Sequence, residues 1–260
     1  MVAQALNKVI HENGGAVWNN QRIKRVIVED GAAKGVELEN GDIIWADKAV
    51  VSTIDPHQTF LKLVGKENLD EEFAEKIRLW KWEEHSLFGV HLALEEAPHF
   101  TAADSDPEID KALVYVLGYE TPEELIADYD AISKGEMSDK ARFNCCFPTV
   151  HDPSQAPPGR HTGLLSRFAP YRVNGEPQKW YNLKFKEQMA ENCLATLQRY
   201  APNMNGEKIM WKYISTPLDM ENKFLDMVEG SFKQGKYIPY QMGYFRPNDE
   251  CSENKTPIKN

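Results

Sequence analysis

No G-x-G-x-x-G segment follows a strand anywhere in the 260 residues, and Gly14-Gly15 lies at a helix end, so the sequence lacks the loop that cradles a dinucleotide pyrophosphate. No apolar run approaches the roughly 18 residues that a membrane helix needs, and the longest candidate, Leu113 to Tyr119, reads as a strand. No basic segment precedes an apolar one in the manner of a secretory leader, and no transit peptide is visible. Basic residues are outnumbered 30 to 40 by acidic ones, a net charge of −10, with no local surplus of Lys and Arg; that disfavours nucleic acid as a partner. Cysteine is sparse, at 145, 146, 193 and 251, without a C-x-x-C pair, which predicts reduced thiols. Cys145 and Cys146 are expected on opposite faces of a strand, with a catalytic thiol as the minor reading. Histidines 85, 91 and 99 are too widely spaced for a zinc site, and His151, Asp152 and His161 match no standard one, so no metal is expected.

What is present begins with a helix. Val2, Ala5, Leu6, Val9 and Ile10 recur at spacings of three and four, and this face is expected to be buried. Ala16-Val17-Trp18 reads as a short strand. A three-stranded meander follows: Arg22 to Val28, then Val36 and Leu38 alternating with Glu37 and Glu39, then Asp42 to Trp45. Glu29-Asp30-Gly31-Ala32 forms the first turn, and Asn40-Gly41 predicts a type I′ turn for the second. Ala49-Val50-Val51-Ser52 has no polar alternation, as expected for a parallel strand covered on both faces, and Ile54-Asp55-Pro56 ends it.

Past Pro56 a short helix is expected from His57 to Val64, then another capped by Asp70 with Phe73, Ile77 and Trp80 on one face. Ser86 to Leu94 reads as a central strand apolar on both sides, interrupted by His91. That histidine could line a cavity or be a hydrogen-bonded core residue, and His85 shares its face. Further strands are expected at Lys111 to Tyr119, Ala141 to Val150, Gly163 to Phe168 and Glu207 to Tyr213. Thr121-Pro122-Glu123-Glu124 predicts a capping box for a helix with Leu125, Ile126, Tyr129 and Ile132 as its buried stripe. A long helix from near Pro177 carries Leu183, Ala190, Leu194 and Leu197 on one face, and Thr216-Pro217-Leu218-Asp219 opens one more helical turn.

The opening helix, the meander with Gly31, Gly35 and Asn40-Gly41, and the run Val50-Val51-Ser52-Thr53-Ile54-Asp55-Pro56 resemble the phytoene desaturase-like, FAD-dependent oxidoreductases, of the amine-oxidase and glutathione-reductase type of flavoprotein. The stiff loop from Phe147 to His161, with its Asp-Pro and Ala-Pro-Pro-Gly segments, and the segment from Gln241 to Pro247 are similar to the same family. The resemblance spans nearly the whole chain and implies an α/β fold: part of an FAD-binding doubly wound domain with a β-meander, plus a substrate domain of mixed β-sheet and helices. The expected boundaries are 1–55 for the partial FAD domain, 56–238 for the substrate domain and 239–260 for a return to the FAD domain.

In function the resemblance implies part of a flavin-dependent desaturase or dehydrogenase, with hydride passing from an apolar substrate to FAD. The backbone at Ile23 is then expected against the adenine, with Ser52 and Thr53 beside the ADP moiety. The family's phosphate loop lies upstream of Met1, so this chain reads as a middle and C-terminal part, and FAD is not expected to bind it alone. The implied partners are an apolar small molecule and an N-terminal dinucleotide-binding segment or subunit. His91, Trp211 and Tyr213 are the candidate substrate-facing residues, whose ordinary reading is core packing. No acid or base is singled out. The expected location is cytoplasmic, with a membrane-peripheral one as the alternative. A rival class is a non-catalytic binding or escort protein that keeps the fold and lacks the cofactor.

Overall fold

The structure, a computed structural model, describes residues 2–259. It divides into two compact units. The first comprises the described residues up to Trp80 and those from Ile238 onward; the second is the continuous run Lys81–Tyr237.

In the first unit, helix α1 (Val2–Glu12) precedes a meander of β1 (Ile23–Glu29), β2 (Ala32–Leu38) and β3 (Ile43–Trp45), all antiparallel. Asp30 and Gly31 both have positive φ, 50° and 71°, so the two-residue turn of mirror-image hand joins β1 to β2. At the second turn only Gly41 is positive, at 92°, and Asn40 Oδ1 instead accepts from Asp42 N at 3.0 Å. The expected type I′ geometry is therefore at Asp30-Gly31 and not at Asn40-Gly41. The C-terminal segment returns beside β2: Ala33 N donates to Lys259 O at 2.8 Å, and Lys259 N to Gly31 O at 3.0 Å.

Three expectations for this unit are corrected. Helix α1 forms, but none of its residues is buried, so its apolar stripe faces solvent. Residues 16–18 and 49–52, both expected as strands, join no strand ladder among the described residues. A strand exists only through its neighbour, and apolar β-branched residues cannot create one alone. The helix expected at 57–64 is a π-helix, His57–Gly65, opened by buried Asp55, whose Oδ1 accepts from Gln58 N at 2.9 Å. Helix α2 (Glu71–Arg78) is capped by Asp70, which accepts from Phe73 N at 2.8 Å, and it buries Phe73 and Ile77. Phe60 meets Phe73 edge-on with centroids 4.9 Å apart.

The second unit is built on a five-stranded antiparallel sheet in the order β5-β6-β7-β4-β8. These strands are β4 (His85–Leu94), β5 (Tyr115–Leu117), β6 (Phe143–Cys146), β7 (His161–Pro170) and β8 (Ile209–Ser215). One face, carrying Phe88, Val90, Leu92, Leu94, Phe143 and Leu165, forms a core with Ala190, Leu194 and Leu197 of α4 (Leu183–Tyr200). Because side chains alternate along a strand, the other face carries Gly89, His91, Leu164, Ser166, Tyr213 and Ser215.

Helix α3 (Pro122–Ser133) starts at the expected proline, yet Thr121 makes no side-chain cap. Of its predicted stripe only Ile132 is buried; Leu125, Ile126 and Tyr129 are exposed. The helix instead turns inward at Asp128, which accepts from buried Arg142 at 2.7 Å. The capping box lies further on, at α5 (Pro217–Lys223), where Thr216 and Asp219 hold each other reciprocally. The strand expected from residue 111 is limited to Tyr115–Leu117, since a 3₁₀ turn occupies Pro107–Lys111. Leu183, predicted on the buried face of α4, is exposed at its first turn.

Candidate functional site

Two clefts matter. In the second unit a cleft of about 560 Å³ opens on the face of the sheet turned away from α4. Its floor is Gly89, His91, Ser166 and Ser215, and its walls include Leu87, Leu164, Tyr213 and Phe224. Gly89 is needed there for space. A Cβ at this position would sit 2.7 Å from Ser215 Oγ, which would have to move, and 3.3 Å from His91 Nε2, a tight contact.

Without that Cβ, Ser215 Oγ reaches His91 Nε2 at 3.2 Å. His91 pairs with Tyr213 across the ladder, ring centroids 5.8 Å apart. His91 is exposed on the open side of the cleft, yet partial desolvation at the floor, and secondly the charge of Lys223, hold its pKa below the ordinary 6.5, so it is neutral near pH 7. The acid in the cleft, Asp219, already accepts from Thr216 N at 3.0 Å and Thr216 Oγ1 at 2.7 Å. The cleft is therefore mainly apolar in its walls, with Lys223 and the hydrogen-bonded Asp219 in its lining, uncharged at its floor and equipped to hold a molecule more than to transfer a proton.

Two of the three predicted substrate-facing residues, His91 and Tyr213, meet at this cleft. Trp211 lies one pleat further along β8, pairs with Ala93, and is 73% exposed outside the cleft lining. Gly89, Ser166 and Ser215 had no signal in the sequence beyond small size, because only the pairing of β7, β4 and β8 brings them together. His85, on the same strand as His91, is a satisfied core residue: Nδ1 lies 3.1 Å from Glu83 Oε1, Nε2 lies 3.1 Å from Tyr129 O, and the ring stacks on Tyr129.

The first unit has a cleft of about 510 Å³ lined by Val26, Ala33, Val50, Ser52 and Ile258 among others. Of the predicted cofactor residues, Ser52 lines it, with Oγ 2.6 Å from Thr59 Oγ1. Thr53 is exposed and Ile23 is half-buried opposite Leu38, both outside the lining. No Lys or Arg contributes to this cleft.

The thiols are not poised for catalysis. Burial, then the neighbouring Cys146, pushes Cys145 up to about 12, and burial raises Cys146 as well. In the proline-rich loop Asp152 accepts from Ser154 N at 3.1 Å while His161 Nδ1 contacts Thr149 Oγ1 at 3.1 Å, so these groups serve the turn itself. Among the described residues no three His, Cys, Asp or Glu side chains converge on a common point.

No family model matches the chain. A limonene dehydrogenase subunit of Castellaniella defragrans is 35% identical over 259 residues, which is 95% of this chain and 46% of that protein. The neurosporene-forming phytoene desaturase of Cereibacter sphaeroides is 25% identical over 259 residues, 97% of this chain and 46% of that enzyme. The chain is a relative of the phytoene desaturase-like oxidoreductases. It spans under half the length of these two relatives.

Reduced UDP-galactopyranose mutase superposes on this phytoene desaturase-like chain with a TM-score of 0.50 at 13% identity, over 87% of this chain and 43% of that one, a likeness of fold alone. That fold agrees with the mixed α/β class expected from the sequence. No helix among the described residues of the phytoene desaturase-like chain is long and apolar enough to cross a membrane.

Proposed function

We propose that this chain is part of a flavin-dependent oxidoreductase, in which the second unit presents an apolar substrate and the first contributes part of the FAD-binding domain. The observation that carries the reading is the cleft on the free face of the five-stranded sheet, with mainly apolar walls and a neutral His91 beside Tyr213. It is supported by similarity to a limonene dehydrogenase component, whose name specifies an apolar, alicyclic compound. When bound, FAD would supply the hydride acceptor. The chain's own residues would position the substrate: Leu87, Leu164 and Phe224 exclude water from its apolar skeleton, and the Tyr213 ring limits its tilt.

The first-unit cleft fits one portion of the cofactor. Its apolar walls and the Ser52 hydroxyl suit a heteroaromatic ring, with Ile23 and Thr53 proposed at the margin beside it. Without a cation or a glycine-rich nest it offers no grip for the pyrophosphate. A partner segment or subunit is therefore proposed to provide that grip, and the exposed apolar stripe of α1 and the run 49–52, which joins no strand ladder among the described residues, are surfaces on which it could seat. The test is to isolate the protein in its natural assembly and assay visible flavin absorption and dye reduction with alicyclic and isoprenoid hydrocarbons. Stoichiometric FAD bleached by substrate is the expected result. A colourless assembly that extracts an apolar lipid would replace this reading with that of an escort protein.

A further inference from the structure

The second-unit cleft has mainly apolar walls, with Asp219 and Lys223 among its lining residues, and a floor that is polar. Ser166 and Ser215 are the two cross-strand partners of Gly89, one on β7 and one on β4's other neighbour, β8. Their side chains therefore flank the space that a Cβ at Gly89 would fill. Flanking this polar floor on one side are Leu87 and Phe168, paired with each other; on the other are Leu164 and Tyr213, both paired with His91. The hydroxyls lie in a hollow between bulky side chains.

Their hydrogen-bond balance is incomplete. Neutral His91 offers Nε2 as an acceptor in one tautomer, and Ser215 Oγ, at 3.2 Å, then donates to it and keeps lone pairs free. In the other tautomer Nε2 donates and the serine hydroxyl hydrogen is free. Ser166 has no side-chain hydrogen bond among the described residues. A hydrocarbon seated in the cleft would remove water from both hydroxyls and return nothing. Each hydroxyl stripped of its water without a replacement partner weakens binding of the hydrocarbon. A ligand oxygen between them can accept from one serine and, if it is a hydroxyl, donate to the other.

We infer that this cleft selects an apolar molecule bearing one hydroxyl or carbonyl oxygen over the hydrocarbon of the same skeleton, with Ser166 and Ser215 reading the oxygen. This rests on the reading of the cleft as the substrate surface and narrows the class of substrate it takes.

The experiment titrates the full 260-residue chain with cyclohexylmethanol and with methylcyclohexane, following the imidazole proton resonances of His91. The alcohol is expected to bind at least about tenfold more tightly, a difference of about 1.4 kcal/mol. In Ser166→Ala plus Ser215→Ala the ratio is expected to fall below about threefold through weaker alcohol binding. Ser166→Ala alone, which breaks no bond within the chain, is expected to lower it part-way and serves if the double variant does not fold. Equal or tighter binding of the hydrocarbon, or a ratio untouched by the variants, overturns the inference and leaves the substrate-surface reading standing. If neither compound moves His91 up to its solubility limit, both are overturned.

Discussion

His91 of β4 and Tyr213 of β8 face each other across an antiparallel ladder, their rings 5.8 Å apart and inclined at 47°, with Ser215 Oγ 3.2 Å from His91 Nε2. This arrangement places a titratable group, still exposed on one side, at the floor of the cleft and makes its protonation a measure of how far the floor is desolvated.

The His91 titration midpoint, followed by NMR, is expected below 6.5, with partial desolvation as the larger cause and Lys223 as the second. Lys223→Ala should raise the midpoint without restoring the ordinary value. Because the folded-state pKa is depressed, the unfolded chain binds the proton more readily. The associated stability is present above about 6.5 and is lost as pH falls through the folded value. A midpoint at or above 6.5 would contradict that desolvation.

Gly89→Ala should change stability by no more than about 1 kcal/mol, because Ser215 Oγ can rotate away and the cost of its bond to His91 is offset by the better strand preference of alanine. Binding of any apolar probe in the cleft should drop sharply, since the added methyl occupies its floor. Urea unfolding and probe titration on one preparation separate the two effects.

Trp211→Ala should leave stability within about 0.5 kcal/mol of the parent, because this side chain is 73% exposed. Phe73→Ala, at a fully buried position against Phe60, should cost about 4 kcal/mol. Any loss of substrate affinity in the tryptophan variant would then report contact and not unfolding. A large stability loss in Trp211→Ala would show that the ring is packed in solution.

Arg142→Met should cost about 3 kcal/mol, since it leaves Asp128 buried without its cation. Glu124→Gln should cost much less, because that carboxylate, 2.8 Å from the same guanidinium, is partly solvated. Thermal unfolding of the two single variants and the double variant checks the order. Equal losses for the two would place the guanidinium's main support at Glu124.

The parts that could be read from sequence are those whose cause is local. Asp70 caps α2 because the carboxylate and the Phe73 amide lie three residues apart, and the alternation along β4 reports a strand whatever its neighbours are. Parts that depend on distant partners could not be read. The apolar spacing of α1 specifies a stripe but not what covers it. Asp128 displaced Leu125 and Ile126 from the buried face of α3 because Arg142, fourteen residues on, reaches it. At the cleft, His91 and Tyr213 were visible as polar or aromatic interruptions of apolar strands. Gly89, Ser166 and Ser215 acquire meaning only once strands far apart in sequence are paired.

The way the second unit is stitched into the chain bears on how such a protein can change over generations. Lys236 N donates to Lys81 O at 2.8 Å, so the beginning and end of the 81–237 stretch are neighbours. A cassette whose two ends already touch imposes no new span on its host when it is lengthened, trimmed or exchanged. Lineages can therefore refit the five-stranded sheet and its cleft while the seam between Lys81 and Lys236 is kept.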